Sequence, residues 1–227
     1  MLSLIALSFL LTPEAPYLPA YLDRIGGTSE RHAECVRLIA SDPPSGRRAA
    51  ETWASSGGGA PALHCLAIAD LAAGFPKLAA IRLTETAERS DAGDQRARAR
   101  LLAEAALAFA EAGALREAEN SVAAAKKIAP VLPELDFVAA KIFAEGGKWR
   151  QAIDAATAAE KAGVTSVETY LVRARAWKEL GDALKAADDV VAALTIDPYD
   201  IDALTLRGEL IEAGIEIEAY REDETPE

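Results

Sequence analysis

The chain is short of positive charge, of cysteine and of long apolar runs, and each shortage narrows what it can be. Twenty-four Lys and Arg stand against 36 Asp and Glu in 227 residues, a formal net charge of −12. That balance repels phosphate backbones and anionic lipid surfaces at long range, so nucleic acid is not an expected partner. β-Branched runs and alternating patterns are scarce while Ala, Leu and Glu dominate, which argues against sheet and for helix nearly everywhere after residue 28. No nucleophile motif, phosphate-binding loop or pair of catalytic carboxylates stands out, so no catalytic residue and no cofactor is expected.

The first eleven residues, MLSLIALSFLL, form an apolar run too short to cross a bilayer as a helix but of the length of a signal-peptide core. Residues 1–20 are therefore expected to be a signal peptide or an apolar N-terminal segment, with no membrane span in the mature protein. A periplasmic or secreted location follows, with a cytoplasmic or N-terminally anchored chain as the alternative. No Lys or Arg precedes the run, and Ala15 and Ala20 are the candidate cleavage positions. No cysteine follows it directly, so a lipoprotein anchor is not supported.

What is present is a repeat. In GDALKAADDVVAALTIDP, Gly181 to Pro198, small residues fall at fixed places: counting from Gly181, Ala174 is seven before, Trp177 four before, Ala186 five after, Val190 nine after, Ala193 twelve after and Pro198 seventeen after. From Gly147 the same offsets give Ala140, Phe143, Ala152, Ala156, Ala159 and Val164; from Gly113 they give Ala106, Phe109, Ala118, Val122, Ala125 and Pro130. The three glycines are 34 residues apart. From Gly74 the pattern degenerates to Ala67, Asp70, Ala79, Leu83, Thr86 and Asp91, with extra residues around SDAGDQ absorbing the shift of phase.

This spacing resembles the tetratricopeptide repeat, a 34-residue helix-turn-helix unit. The resemblance implies an all-α, right-handed superhelical solenoid of antiparallel helix pairs, about five hairpins with a C-terminal capping helix. Boundaries follow: a single domain over 28–220, degenerate hairpins at 28–59 and 60–93, regular repeats at 99–132, 133–166 and 167–200, a capping helix at 201–214 and an acidic tail at 221–227. The capping helix is expected to show a polar outer face, since nothing stacks beyond it. Trp149 and Trp177 read as packing residues, Asp188 and Asp189 as a solvated helix face, and Thr165 with Glu168 as a capping box.

In the resembled family the first helices line a concave face that receives peptides. Residues ten and six before each glycine should point into it: His64 and Ile68, Ala103 and Leu107, Phe137 and Lys141, Leu171 and Arg175, with Thr205 and Glu209 in phase beyond. The expected groove is thus His64, Ile68, Leu107, Phe137, Lys141, Leu171, Arg175 and Glu209, complementing a protein or peptide partner with aliphatic and acidic residues. Packing against a neighbouring helix or a folded-back N-terminal segment is the competing role for the same residues. The family's carboxylate clamp is missing, because the only asparagine, Asn120, falls on a second helix.

Both histidines and both cysteines lie close in sequence, as His32 with Cys35 and His64 with Cys65. A zinc site is disfavoured, since adjacent His64 and Cys65 diverge by about 100° around a helix. If successive first helices lie side by side, as the resemblance implies, Cys35 and Cys65 can pair as a disulfide; two buried thiols are the alternative. The reading is a non-enzymatic interaction scaffold, monomeric or weakly dimeric. A thiol- or metal-dependent enzyme built on residues 32–65 and a self-associating structural solenoid are the alternatives.

Overall fold

A computed structural model describes residues 29–217; the expected N-terminal signal segment and the acidic tail lie outside them. The described chain is helical throughout, in antiparallel pairs: α1 (Ser29–Ser41) with α2 (Pro43–Ser55), α3 (Gly59–Ala72) with α4 (Pro76–Glu88), α5 (Gln95–Glu111) with α6 (Leu115–Ile128), α7 (Glu134–Glu145) with α8 (Trp149–Lys161), and α9 (Val167–Glu179) with α10 (Ala183–Ile196). A last helix, α11 (Ile201–Glu212), packs on α9 and α10. By its internal contacts the chain divides into two compact units, with the boundary between Leu132 and Pro133.

Each turn is built as the repeat requires. Gly113, Gly147 and Gly181 have φ of 72°, 67° and 81°, the left-handed region a Cβ disfavours. The amide one residue further on closes the helix end by reaching back to the carbonyl of the aromatic four before the glycine: Ala114 to Phe109 (2.8 Å), Lys148 to Phe143 (2.8 Å) and Asp182 to Trp177 (2.9 Å). One backbone motif thus ends the helix and anchors the next. Other starts are capped by side chains, as where Asp42 accepts from the Ser45 amide and Asp94 from the Ala97 amide. At α9 the cap is Ser166, accepting from Thr169, and not Thr165 as the capping-box spacing suggests; a serine in extended conformation offers the same oxygen one residue later.

The core of each unit is small. Ala106, Ala118 and Ala125 in the first unit, and Ala140, Ala152, Ala156, Ala159, Ala174, Ala186 and Ala193 in the second, are fully buried. In the first hairpin Gly46 plays the same part, since a Cβ there would lie 2.5 Å from the Ile39 Cα. Trp149 and Trp177 pack, with Phe143, against Ala152, Ile153 and Ala176, filling the space that alanine leaves between hairpins. Asp189 is a correction to the solvated-face reading. It is buried and accepts from Arg173 Nε and Nη2 at 2.7–3.1 Å, while Arg173 Nη1 donates to Thr157 (3.1 Å) and Glu160 (2.5 Å), so one guanidinium ties α8, α9 and α10 together.

A Cβ at Gly113 would meet nothing within 4 Å, so Gly113→Ala isolates the backbone term. The expected loss is about 1–2 kcal/mol in urea unfolding followed by circular dichroism. An unchanged midpoint would mean the bend does not need the left-handed conformation.

Candidate functional site

In the second unit the first helices α7, α9 and α11 lie beside one another, and their outward residues are joined by ion pairs. Lys141 Nζ lies 3.9 Å from Glu168, Arg175 pairs with Asp202 (3.2 Å) and Lys178 with Glu209 (2.5 Å). The half-buried Phe137 ring has the Lys141 ammonium 5.5 Å from its centroid. Burial holds Lys141 below the usual lysine range, opposed by the Glu168 and Glu145 carboxylates, and burial raises Glu168. Phe137, Lys141, Arg175 and Glu209 therefore lie along the contacts that join α7, α9 and α11, with desolvated charge around the aromatic.

Other groove candidates are placed differently. Leu171 is buried in the core of the second unit, among Ala174, Ala186, Val190 and Leu206, and offers no surface to a partner. In the first unit Ala103 is buried, Leu107 is half-buried, and Ile68 packs on the cluster containing Trp53, Cys35 and Cys65. His64 does not line a groove either. It is 2% exposed and both its ring nitrogens are engaged, Nδ1 with His32 Nε2 at 2.8 Å and Nε2 with Glu104 Oε2 at 2.6 Å. The reason is position: α3 packs on α1, α2 and α4, so the side on which the repeat offset places His64 faces α1 and α5 rather than solvent.

The two histidines and two cysteines do converge, through the packing of α1 on α3. Cys35 and Cys65 form a disulfide with Cα atoms 6.4 Å apart, and among the described residues no free cysteine remains. Burial first, and the His64 charge second, lower the His32 pKa to about 3, so His32 is neutral. His32 Nε2 and His64 Nδ1 share one hydrogen bond, His64 Nε2 bonds Glu104, and His32 Nδ1 is buried with no hydrogen-bond partner among the described residues. The arrangement is a buried hydrogen-bonded chain beside a disulfide. Among the described residues no group of three or more His, Cys, Asp or Glu is placed to hold a metal ion. Sequence reasoning missed Glu104, because nothing in an Ala-rich helix marks one glutamate of several as the one facing α3.

This architecture, helix pairs in 34-residue register with glycine bends and alanine contacts, is the tetratricopeptide-like helical repeat fold. Solved structures share it: a tetratricopeptide repeat protein of Thermus thermophilus at 19% identity, covering 82% of this chain and 98% of that one with a TM-score of 0.61. YrrB, a tetratricopeptide repeat protein with an unusual peptide-binding site, is 14% identical over 76% of this chain and 88% of its own, with a TM-score of 0.56. The tetratricopeptide repeat domain of Arabidopsis OM64 is 23% identical over 52% of this chain and 98% of its own, with a TM-score of 0.50. No protein-family model and no curated protein matches the chain.

Replacing both cysteines, as Cys35→Ser with Cys65→Ser, opens a loop between positions 30 residues apart and should lower the stability of the first unit by about 3–4 kcal/mol in urea unfolding. A loss under about 1 kcal/mol would mean that packing alone fixes α1 on α3. A second test uses pH. His32 takes a proton near 6.5 when unfolded and only near 3 when folded, so its contribution is complete above pH 6.5 and is lost as pH falls toward 3. The wild-type stability should therefore fall by up to about 1.4 kcal/mol per pH unit more steeply than that of His32→Phe between those limits. Parallel pH profiles would show that His32 is solvated.

Proposed function

We propose that the chain is a non-enzymatic scaffold that binds an extended segment of a partner protein on its first-helix face. The observation that carries the reading is Lys141, a cation held partly out of water beside the Phe137 ring on α7. A peptide carboxylate would gain more from a desolvated ammonium than from a hydrated one, and an aliphatic anchor would cover the ring. Arg175 and Lys178 extend the same strip of cations along α9, each already opposed by a carboxylate of α11 that an incoming acidic residue would displace. The groove of this proposal is narrower than the sequence suggested: Phe137, Lys141, Arg175 and Glu209, without Leu171 or His64.

The thiol- or metal-dependent alternative is not favoured, because each cysteine sulfur is bonded to the other and is no nucleophile in that state. The same disulfide supports an oxidising compartment, periplasmic or secreted. Among the described residues no helix is long and apolar enough to cross a membrane.

A library of random 12-residue peptides displayed on phage, selected on the full chain, should yield sequences with aliphatic residues and a carboxylate. Phe137→Ala should bind the selected peptides at least about tenfold more weakly while keeping the wild-type helical signal. Equal affinity for wild type and variant would move the site off this face.

A further inference from the structure

The expected polar outer face of α11 is not what the structure has. Ile201, Leu204 and Ile211 are exposed at 79%, 41% and 46%, and with Gly208 they fall at positions one, four, eight and eleven of the helix, a single stripe. Their counterparts 34 residues earlier on α9 are Val167, Tyr170, Ala174 and Trp177, and all four pack in the cluster that α9 shares with α10 and α11, Trp177 also lying under the Lys185 ammonium of α10. The stripe on α11 is therefore the face with which a first helix receives its own second helix.

Gly208 strengthens this. It occupies the place of the fully buried Ala106, Ala140 and Ala174, where a second helix approaches most closely. Here a Cβ would meet nothing within 4 Å and the backbone is not left-handed, so no contact or bend among the described residues requires glycine. In an exposed helix interior glycine weakens the helix. A missing side chain is of use at that place only if another helix comes against it.

We propose that α11 is an open half-repeat, and that its occupant is an amphipathic helix of another protein with small apolar residues on one face and Lys or Arg on its flanks. The charge comes from the rim of the stripe: between Ile196 and Ile217, apart from Asp202 and Glu209 on the face toward α9, stand Asp197, Asp200, Glu212 and Glu216 against Arg207 alone. These carboxylates keep the rim acidic. A second copy docking through the same stripe would set acid against acid. The following residues, AYREDETPE at 219–227, place Tyr220 and Glu227 where α10 has the fully buried Ala186 and Ala193. The site lies on a different side of α11 from Thr205 and Glu209, and stands whether or not the Phe137 face binds peptide.

The probe is a fluorescein-labelled 14-residue peptide with the sequence of α10, Ala183–Ile196, carrying Asp188→Lys and Asp189→Lys, titrated into the full chain by fluorescence anisotropy. Saturable binding is expected, weakened at least about tenfold by Gly208→Leu and by Leu204→Glu, both of which should keep the wild-type helical signal. Phe137→Ala should leave it unchanged, and raised salt should weaken it. No saturable binding, or equal binding by Gly208→Leu and Leu204→Glu, overturns the proposal. So does sedimentation showing a concentration-dependent dimer of the chain that the same two substitutions abolish, since the occupant would then be a second copy.

Discussion

Close approach of helices through alanine is the constraint on which the rest of the structure depends. Helices whose contacts are methyl groups can come within about 8 Å of each other, and each contact then recruits backbone as well as side chain into the packing. Ala140, Ala152, Ala156 and Ala159 are all fully buried, yet none covers much apolar area alone. The stability of such a core comes from density and repetition, and one enlarged side chain at these places would push two helices apart. Aromatic residues can then be few: Phe143, Trp149 and Trp177 sit between hairpins, where the close-packed pairs leave wedges to fill.

Alanine contacts fix how near helices lie but distinguish poorly between registers, and that task falls to buried polar groups. Arg173, held by Asp189, Glu160 and Thr157, can make all its bonds in only one alignment of α8, α9 and α10. Asp70 does the corresponding work in the first unit. It is fully buried, with charge contacts to Arg47 and Arg82 at 2.9 Å each, drawn from α2 before it and α4 after it. A buried carboxylate without these partners would destabilise the unit by several kcal/mol. Burial of charge here makes incorrect pairings expensive, which is a stronger effect than any gain from the ion pairs themselves.

Asp70 also shows what could and could not be read from the sequence. It stands four before Gly74, where Phe109, Phe143 and Trp177 stand in the regular repeats, so offset counting registers it as a defect. The structure makes it a substitution of one anchoring device for another. The offsets located the bends, the alanine contacts and the tryptophans because those are set by local spacing along one helix pair. They did not find Glu104 against His64, Asp189 against Arg173, or the burial of Leu171, because each depends on which neighbour covers a face, and a period of 34 residues carries no record of that. Cys35 and Cys65 were legible as a pair for the opposite reason: side-by-side first helices follow from the repeat itself.

Among the described residues the first hairpin and the last helix each have repeat neighbours on one side, and they meet that difficulty with opposite means. A repeat gains stability from neighbours on both sides, so an element with one neighbour is the weakest in the stack. At α1 the deficit is offset by covalent and polar ties to α3, the disulfide and the His32 to His64 hydrogen bond, both made within one turn of helix. At α11 there is no comparable tie to a second helix among the described residues; its ion pairs to α9 lie on the first-helix face, and its apolar stripe is left in solvent. Three aliphatic side chains held in the register of a buried contact, with glycine at the point of closest approach, raise the free energy of the isolated chain. A partner that covered them would be bound with the free energy that the missing contact would otherwise have supplied to folding.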